Sequence, residues 1–127
     1  MKKIFLIFLS FLFLFSCGNG VKKLNDEYLG SIKKNQLYNT VIFLPGGKVD
    51  NIDFIVEIFP NDAGLRWEAE GKSNSLRIKS KNYNKIMIQG MPYVTGTIYI
   101  DFDWWTYGTN MSTGKHFKKR YILKVEE

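Results

Sequence analysis

The chain reads as all-β: an antiparallel immunoglobulin-like β-sandwich of about seven strands, preceded by a cleaved signal peptide and a short tether. Three observations predict this. Between residues 38 and 125 apolar side chains recur at every second position in one window after another, the period of strands with one inward face. Clusters of Gly, Pro, Asn and Asp break these windows at intervals of about ten residues, as turns between short strands do. No window of comparable length carries helical spacing. A small closed barrel is the other architecture the pattern allows.

The opening residues stand apart from this pattern. Lys2 and Lys3 make a charged start, Ile4 to Phe15 is apolar except for Ser10, and Ser16 precedes Cys17, the only cysteine. The apolar stretch is shorter than the ~20 residues a bilayer-spanning helix needs, so it reads as a secretory pre-sequence, residues 1–16. A cysteine at the cut supplies the thiolate that can take a diacylglyceryl group as a thioether. Leu14, Ser16 and Cys17 resemble the lipobox of bacterial lipoproteins, with Phe15 bulkier than the pattern usually has. The resemblance implies cleavage before Cys17 and lipid attachment there, palmitate included, at about 0.8 kcal/mol of anchoring per buried methylene. Gly18, where an aspartate would favour the inner membrane, implies outer-membrane anchoring on the periplasmic or surface face.

Removing residues 1–16 leaves 111 residues, enough for one domain with one core. Two lysines leave with the signal, so sixteen basic face twelve acidic side chains, a net charge of +4. That mild excess suits an acidic protein partner or an anionic membrane surface and falls short of a nucleic-acid-binding field. With its one cysteine committed to lipid, the chain has no disulfide and no cysteine-based metal site. Residues 17–36 are polar and Gly-bearing, with Lys22, Lys23, Asn25, Asp26, Lys33 and Lys34. They read as a lipidated tether with room for one helical turn between Asn25 and Ile32.

The sandwich domain is expected over 37–127. Tyr38 to Leu44 is a β-branched and aromatic run closed by Pro45-Gly46-Gly47. Ile52, Phe54, Val56 and Ile58 alternate with Asp53, Ile55, Glu57 and Phe59, and Leu65, Trp67 and Ala69 with Arg66, Glu68 and Glu70. Leu76 and Ile78 form a fourth strand, and Ile86 and Ile88 a fifth after a turn at Lys81-Asn82-Tyr83-Asn84. Ile98, Ile100, Phe102 and Trp104 against Tyr99, Asp101 and Asp103 make the cleanest amphipathic strand; Tyr121, Leu123 and Val125 form the last inward row.

Gly64-Leu65-Arg66-Trp67, Ile86 to Pro92, Gly96-Thr97-Ile98-Tyr99-Ile100 and Tyr121 to Val125 resemble the immunoglobulin-like, cadherin-like modules of bacterial surface proteins. The likeness spans about residues 64–125 and departs from the pattern in having one module where those proteins carry tandem arrays. It implies the sandwich, with Trp67 filling its centre. It implies no activity, because such sandwiches host many functions.

Catalytic signals are thin, and the chain reads as a non-enzyme. His116, the sole histidine, lies in a Lys-rich segment and reads as a solvated loop residue. Glu68 and Glu70 share an outward face beside Arg66 and read as plain surface. Asp101 and Asp103 are too few for the six to eight oxygens that calcium takes. No phosphate loop, zinc spacing or dinucleotide fingerprint is present, so no cofactor or metal is expected.

The composition that suits binding is Trp104-Trp105-Thr106-Tyr107-Gly108 followed by Lys115, Lys118, Lys119 and Arg120. With Trp104 inward, Trp105 and Tyr107 fall near one end of the sandwich. Aromatics beside cations are the anchor composition of interfaces. The candidate partner-binding set is therefore Trp105, Tyr107, Lys115, Lys118, Lys119 and Arg120, although a hairpin aromatic can equally cover the bottom of a small core. The expectation is a lipid-anchored envelope lipoprotein that binds an envelope protein or glycan, an acidic one by charge, and no nucleic acid. The alternative is a periplasmic inhibitor or immunity-type lipoprotein that neutralises a toxin or hydrolase.

Overall fold

The computed structural model of the chain describes residues 20–72, 80–108 and 114–127. Eight strands run through them: β1 (Lys22–Lys23), β2 (Glu27–Lys33), β3 (Tyr38–Phe43), β4 (Val49–Phe59), β5 (Leu65–Lys72), β6 (Ser80–Gly90), β7 (Gly96–Thr106) and β8 (His116–Glu126). They form two sheets. One is antiparallel in the order β3-β6-β5, and the other has β4-β7-β8 antiparallel with β1 and β2 added in parallel along β8. The chain changes sheet at β2–β3, β3–β4, β4–β5 and β6–β7. By connectivity the two sheets correspond to the B-E-D and C-F-G sheets of an immunoglobulin domain, so the sandwich, and not the barrel, is formed.

The alternation explains the core. Ile98, Ile100, Phe102 and Trp104 of β7 are buried, with Phe117, Tyr121, Leu123 and Val125 of β8, against Ile42, Ala69, Ile86 and Ile88 of the facing sheet. Burying each large apolar side chain contributes roughly 1.5–3 kcal/mol, which is what holds a domain with no disulfide together. Trp67 faces inward as expected, but it is half-buried and packs on Phe54 at 5.3 Å. The centre belongs to Trp104, which is fully buried, stacks on Phe117 at 5.5 Å and has no hydrogen-bond partner for its indole N–H among the described residues. Gly46 is a backbone necessity beside this pair: its φ is +99°, and a β-carbon there would stand 2.5 Å from the Phe117 ring.

Three readings of the sequence need correction. Residues 22–33 are not a tether with a helical turn, because β1 and β2 add to the β8 edge, with Leu29 and Ile32 packed against the core. Lys81 to Asn84 is not a turn between strands; it lies within β6, where four steps pass between the partners of Ala69 and Glu70. The excess residues turn inward: Tyr83 packs edge-on against Phe54 at 5.1 Å, and Asn84 holds the β3–β4 loop. Its Nδ2 donates to the carbonyls of Leu44 (3.2 Å) and Gly47 (2.6 Å), and its Oδ1 accepts from the Val49 N–H (3.0 Å). In β4, five steps between Asp50 and Ile55 face two steps of β7, so Ile52 is thrown out of the expected inward row and is 80% exposed. The strand expected at Leu76–Lys79, the signal segment and Cys17 lie outside the described residues.

Candidate binding face

Side chains of β4, β7 and β8 that point away from the core share the outer face of their sheet, and strand register sets them in rows. Asp50, Trp105 and His116 form the first row; Ile55, Asp103 and Lys118 the second; Glu57, Asp101 and Arg120 the third; Phe59, Tyr99 and Ile122 the fourth. Lys23 of β1 extends the second row and Tyr28 of β2 the fourth.

Ring and charge pairs across the β7–β8 ladder join side chains within these rows and tie one row to the next. The Trp105 and His116 rings stack at 4.4 Å and 13°, and His116 Nε2 bonds Asp103 Oδ1. Lys118 Nζ lies 3.5 Å from the other oxygen of Asp103. Arg120 forks onto Asp101 at 2.8 and 2.9 Å while its guanidinium lies 4.5 Å from the Tyr99 ring centroid. Those hydrogen bonds push the Arg120 pKa above its ordinary value, and the planar two-bond geometry fixes the group's orientation. A depression of about 490 Å³ runs along the middle rows, lined by Ile55, Glu57, Asp101, Asp103, Lys118 and Arg120 among others.

The structure divides the six expected residues. Trp105, Lys118 and Arg120 share the outer face, but on strands, because β8 starts at His116 and the basic stretch is not a loop. Lys119, opposite Phe102, points the other way: it meets Glu27 at 3.2 Å and crosses the Tyr121 ring at 4.9 Å, closing the sandwich edge. Burial, and then the charge of Glu27, push the Tyr121 phenol up to about 12. Tyr107 and Lys115 stand beyond the ladder, where the Tyr107 N–H donates to the Lys48 carbonyl and the Thr106 N–H to that of Lys115. His116 is correspondingly no solvated loop residue, with one ring face on Trp105 and Nε2 on Asp103. Nor do the cations form one acid-seeking patch, since Lys118, Lys119 and Arg120 each meet a carboxylate of their own domain.

No family model matches the chain, and no curated protein does. A chain in the solved structure of PbICP-C in complex with falcipain-2 is 9% identical, with 83% of this chain and 99% of that one covered, at a TM-score of 0.40. The solution structure of Amebosin is 15% identical, with 84% and 99% covered, at 0.37. Likeness at this level decides neither fold nor partner.

Sequence reasoning missed Ile55 and Phe59, which are 50% and 41% exposed on the outer face. Their signal was present: in β4 the outward set contains large apolar residues where β5 offers Arg66, Glu68 and Glu70. Among the described residues no group of three or more His, Cys, Asp or Glu is placed to hold a metal ion. What the face offers chemically is recognition: fixed charge pairs, a guanidinium plane and exposed apolar side chains at one edge.

Proposed function

We propose that the chain is a lipid-anchored binding module of the cell envelope, acting without catalysis, whose protein partner docks on the outer face of the β4-β7-β8 sheet. The observation that supports it best is the exposure of Ile55 and Phe59 on the solvent side of edge strand β4, next to charges already paired at Asp101–Arg120 and Asp103–Lys118. A charge that keeps its partner costs less to cover than a lone one, and the apolar edge gains by losing water. The lipid anchor rests on the Lys2–Cys17 segment.

The test is capture of envelope proteins on immobilised wild type, with Ile55→Asp, Phe59→Asp and, on the opposite sheet, Val41→Asp. A protein held by wild type and Val41→Asp and bound at least tenfold more weakly by the two face variants supports the proposal. Equal retention by all, or loss in Val41→Asp alone, refutes it. Capture of a hydrolase or toxin whose activity falls on binding would assign the face to the inhibitor reading.

A further inference from the structure

The N-terminal strands decide which end of the sandwich meets a membrane. β1 runs parallel to β8 with Lys22 opposite Phe117, so the chain enters the fold where β8 begins and β7 ends. Five chain steps separate Cys17 from Lys22 and reach about 18 Å at most. β8 itself is about 37 Å long at 3.4 Å per residue. An anchor at Cys17 therefore cannot let the domain turn its far end to the bilayer.

The near end has the composition of an interfacial surface. Trp105 is 40% and Tyr107 51% exposed, and Lys48 Nζ lies 5.8 Å from the Tyr107 ring centroid. Lys22, Lys23, Lys48 and Lys115 are all exposed there. Of the carboxylates at this end, Asp103 bonds His116 and Lys118, Asp50 accepts the Ile52 N–H at 2.9 Å, and Asp53 in the β4 bulge is exposed, against four exposed lysines. Trp and Tyr settle at the headgroup level because their rings are apolar with a polar tip, and lysines are drawn to anionic lipid.

We infer that this corner, carrying Trp105, Tyr107, Lys22, Lys48 and Lys115, seats on the anionic headgroup layer of the membrane that holds the anchor, leaving Ile55 and Phe59 clear for a partner. The inference rests on lipid attachment at Cys17 and adds to it a second, non-covalent contact that fixes the domain's orientation.

The experiment reconstitutes the processed lipoprotein in phosphatidylglycerol–phosphatidylcholine vesicles with brominated acyl chains and reads tryptophan quenching. Trp67 and Trp104 face the core, so Trp105 carries the signal: wild type is quenched, and Trp105→Phe, with an unchanged melting temperature, loses the quenching. Lys48→Ala with Lys115→Ala shifts the seated-to-lifted ratio toward lifted roughly 30-fold, at about fivefold per lysine near an anionic surface. A palmitate-labelled wild type whose Trp105 is not quenched overturns the seating while the anchor stands. A chain that takes up no palmitate and stays in the aqueous phase overturns the anchor, and the seating with it. A photo-crosslinker at position 107 that captures a protein and not lipid in cells also overturns the seating.

Discussion

Replacing Asn84 by alanine isolates the bond set that fixes the loop between β3 and β4. Asn84 reaches the Leu44 carbonyl, the Gly47 carbonyl and the Val49 N–H at once, at 3.2, 2.6 and 3.0 Å. Net worth per hydrogen bond is near 1 kcal/mol, and the Gly47 contact is solvent-exposed and counts for less, so Asn84→Ala should cost about 2–3 kcal/mol. In a domain of this size that lowers the melting temperature by roughly 10–20 °C. Asn84→Asp keeps the acceptor for Val49 but sets a carboxylate against two carbonyls, and should be no better than alanine at neutral pH. Urea titration should give a lower midpoint with an unchanged m-value, because the surface exposed on unfolding is the same, and amide exchange at Val49 should accelerate ahead of its neighbours. A melting shift below about 3 °C for both variants would show that the loop holds without Asn84 and that the bulge in β6 has another cause.

Three further outcomes are expected. Trp104→Ala should cost about 3–5 kcal/mol by cavity formation, whereas Trp104→Phe should cost far less because it also removes an indole N–H that has no partner among the described residues; equal losses in chemical denaturation would contradict this. The Tyr121 phenol ionises near 12 when folded and near 10 when unfolded, so the stability it holds is intact below pH 10 and drains away as pH rises toward 12; Tyr121→Phe should flatten that alkaline loss, and an unaltered profile would count against the buried phenol. Cys17→Ala should leave unprocessed precursor or soluble protein, and palmitate uptake by that variant as well as by wild type would refute the lipid attachment.

The strands whose two faces differ were legible, and those that break their own period were not. The inward rows at Ile98 to Trp104 and Tyr121 to Val125 stand as read, since each strand runs unbroken against its neighbour. β2 was hidden because Gly30, with φ +116°, slips its register against β8 and because Lys33 and Glu27 look like tether composition. Tyr83 and Asn84 look like turn residues, and they do leave the ladder locally, but as a bulge whose side chains serve the core and a neighbouring loop. The basic stretch Lys118 to Arg120 read as loop because cations suggest solvent; its strand state needs Asp101 and Asp103 opposite, a pairing visible only once register is known. The period of Tyr121, Leu123 and Val125, carried back two positions, sets Lys119 inward and its two neighbours outward, but only once the stretch is taken as strand.

The parallel pairing of β2 with β8 has a mechanical side. The first long strand and the last lie side by side and run the same way over Glu27–Lys33 and Tyr121–Glu126. A pull that holds the chain at its start and draws on its end therefore acts along the strands, across their evenly spaced, slanted bonds. All of those bonds are loaded together in shear. An antiparallel pair pulled from a shared end would instead unzip one bond at a time. A domain tugged between its attachment and whatever is fixed to its C-terminal strand would thus resist as a block and then yield abruptly, with the break starting at β2 and β8 and not in the hairpins.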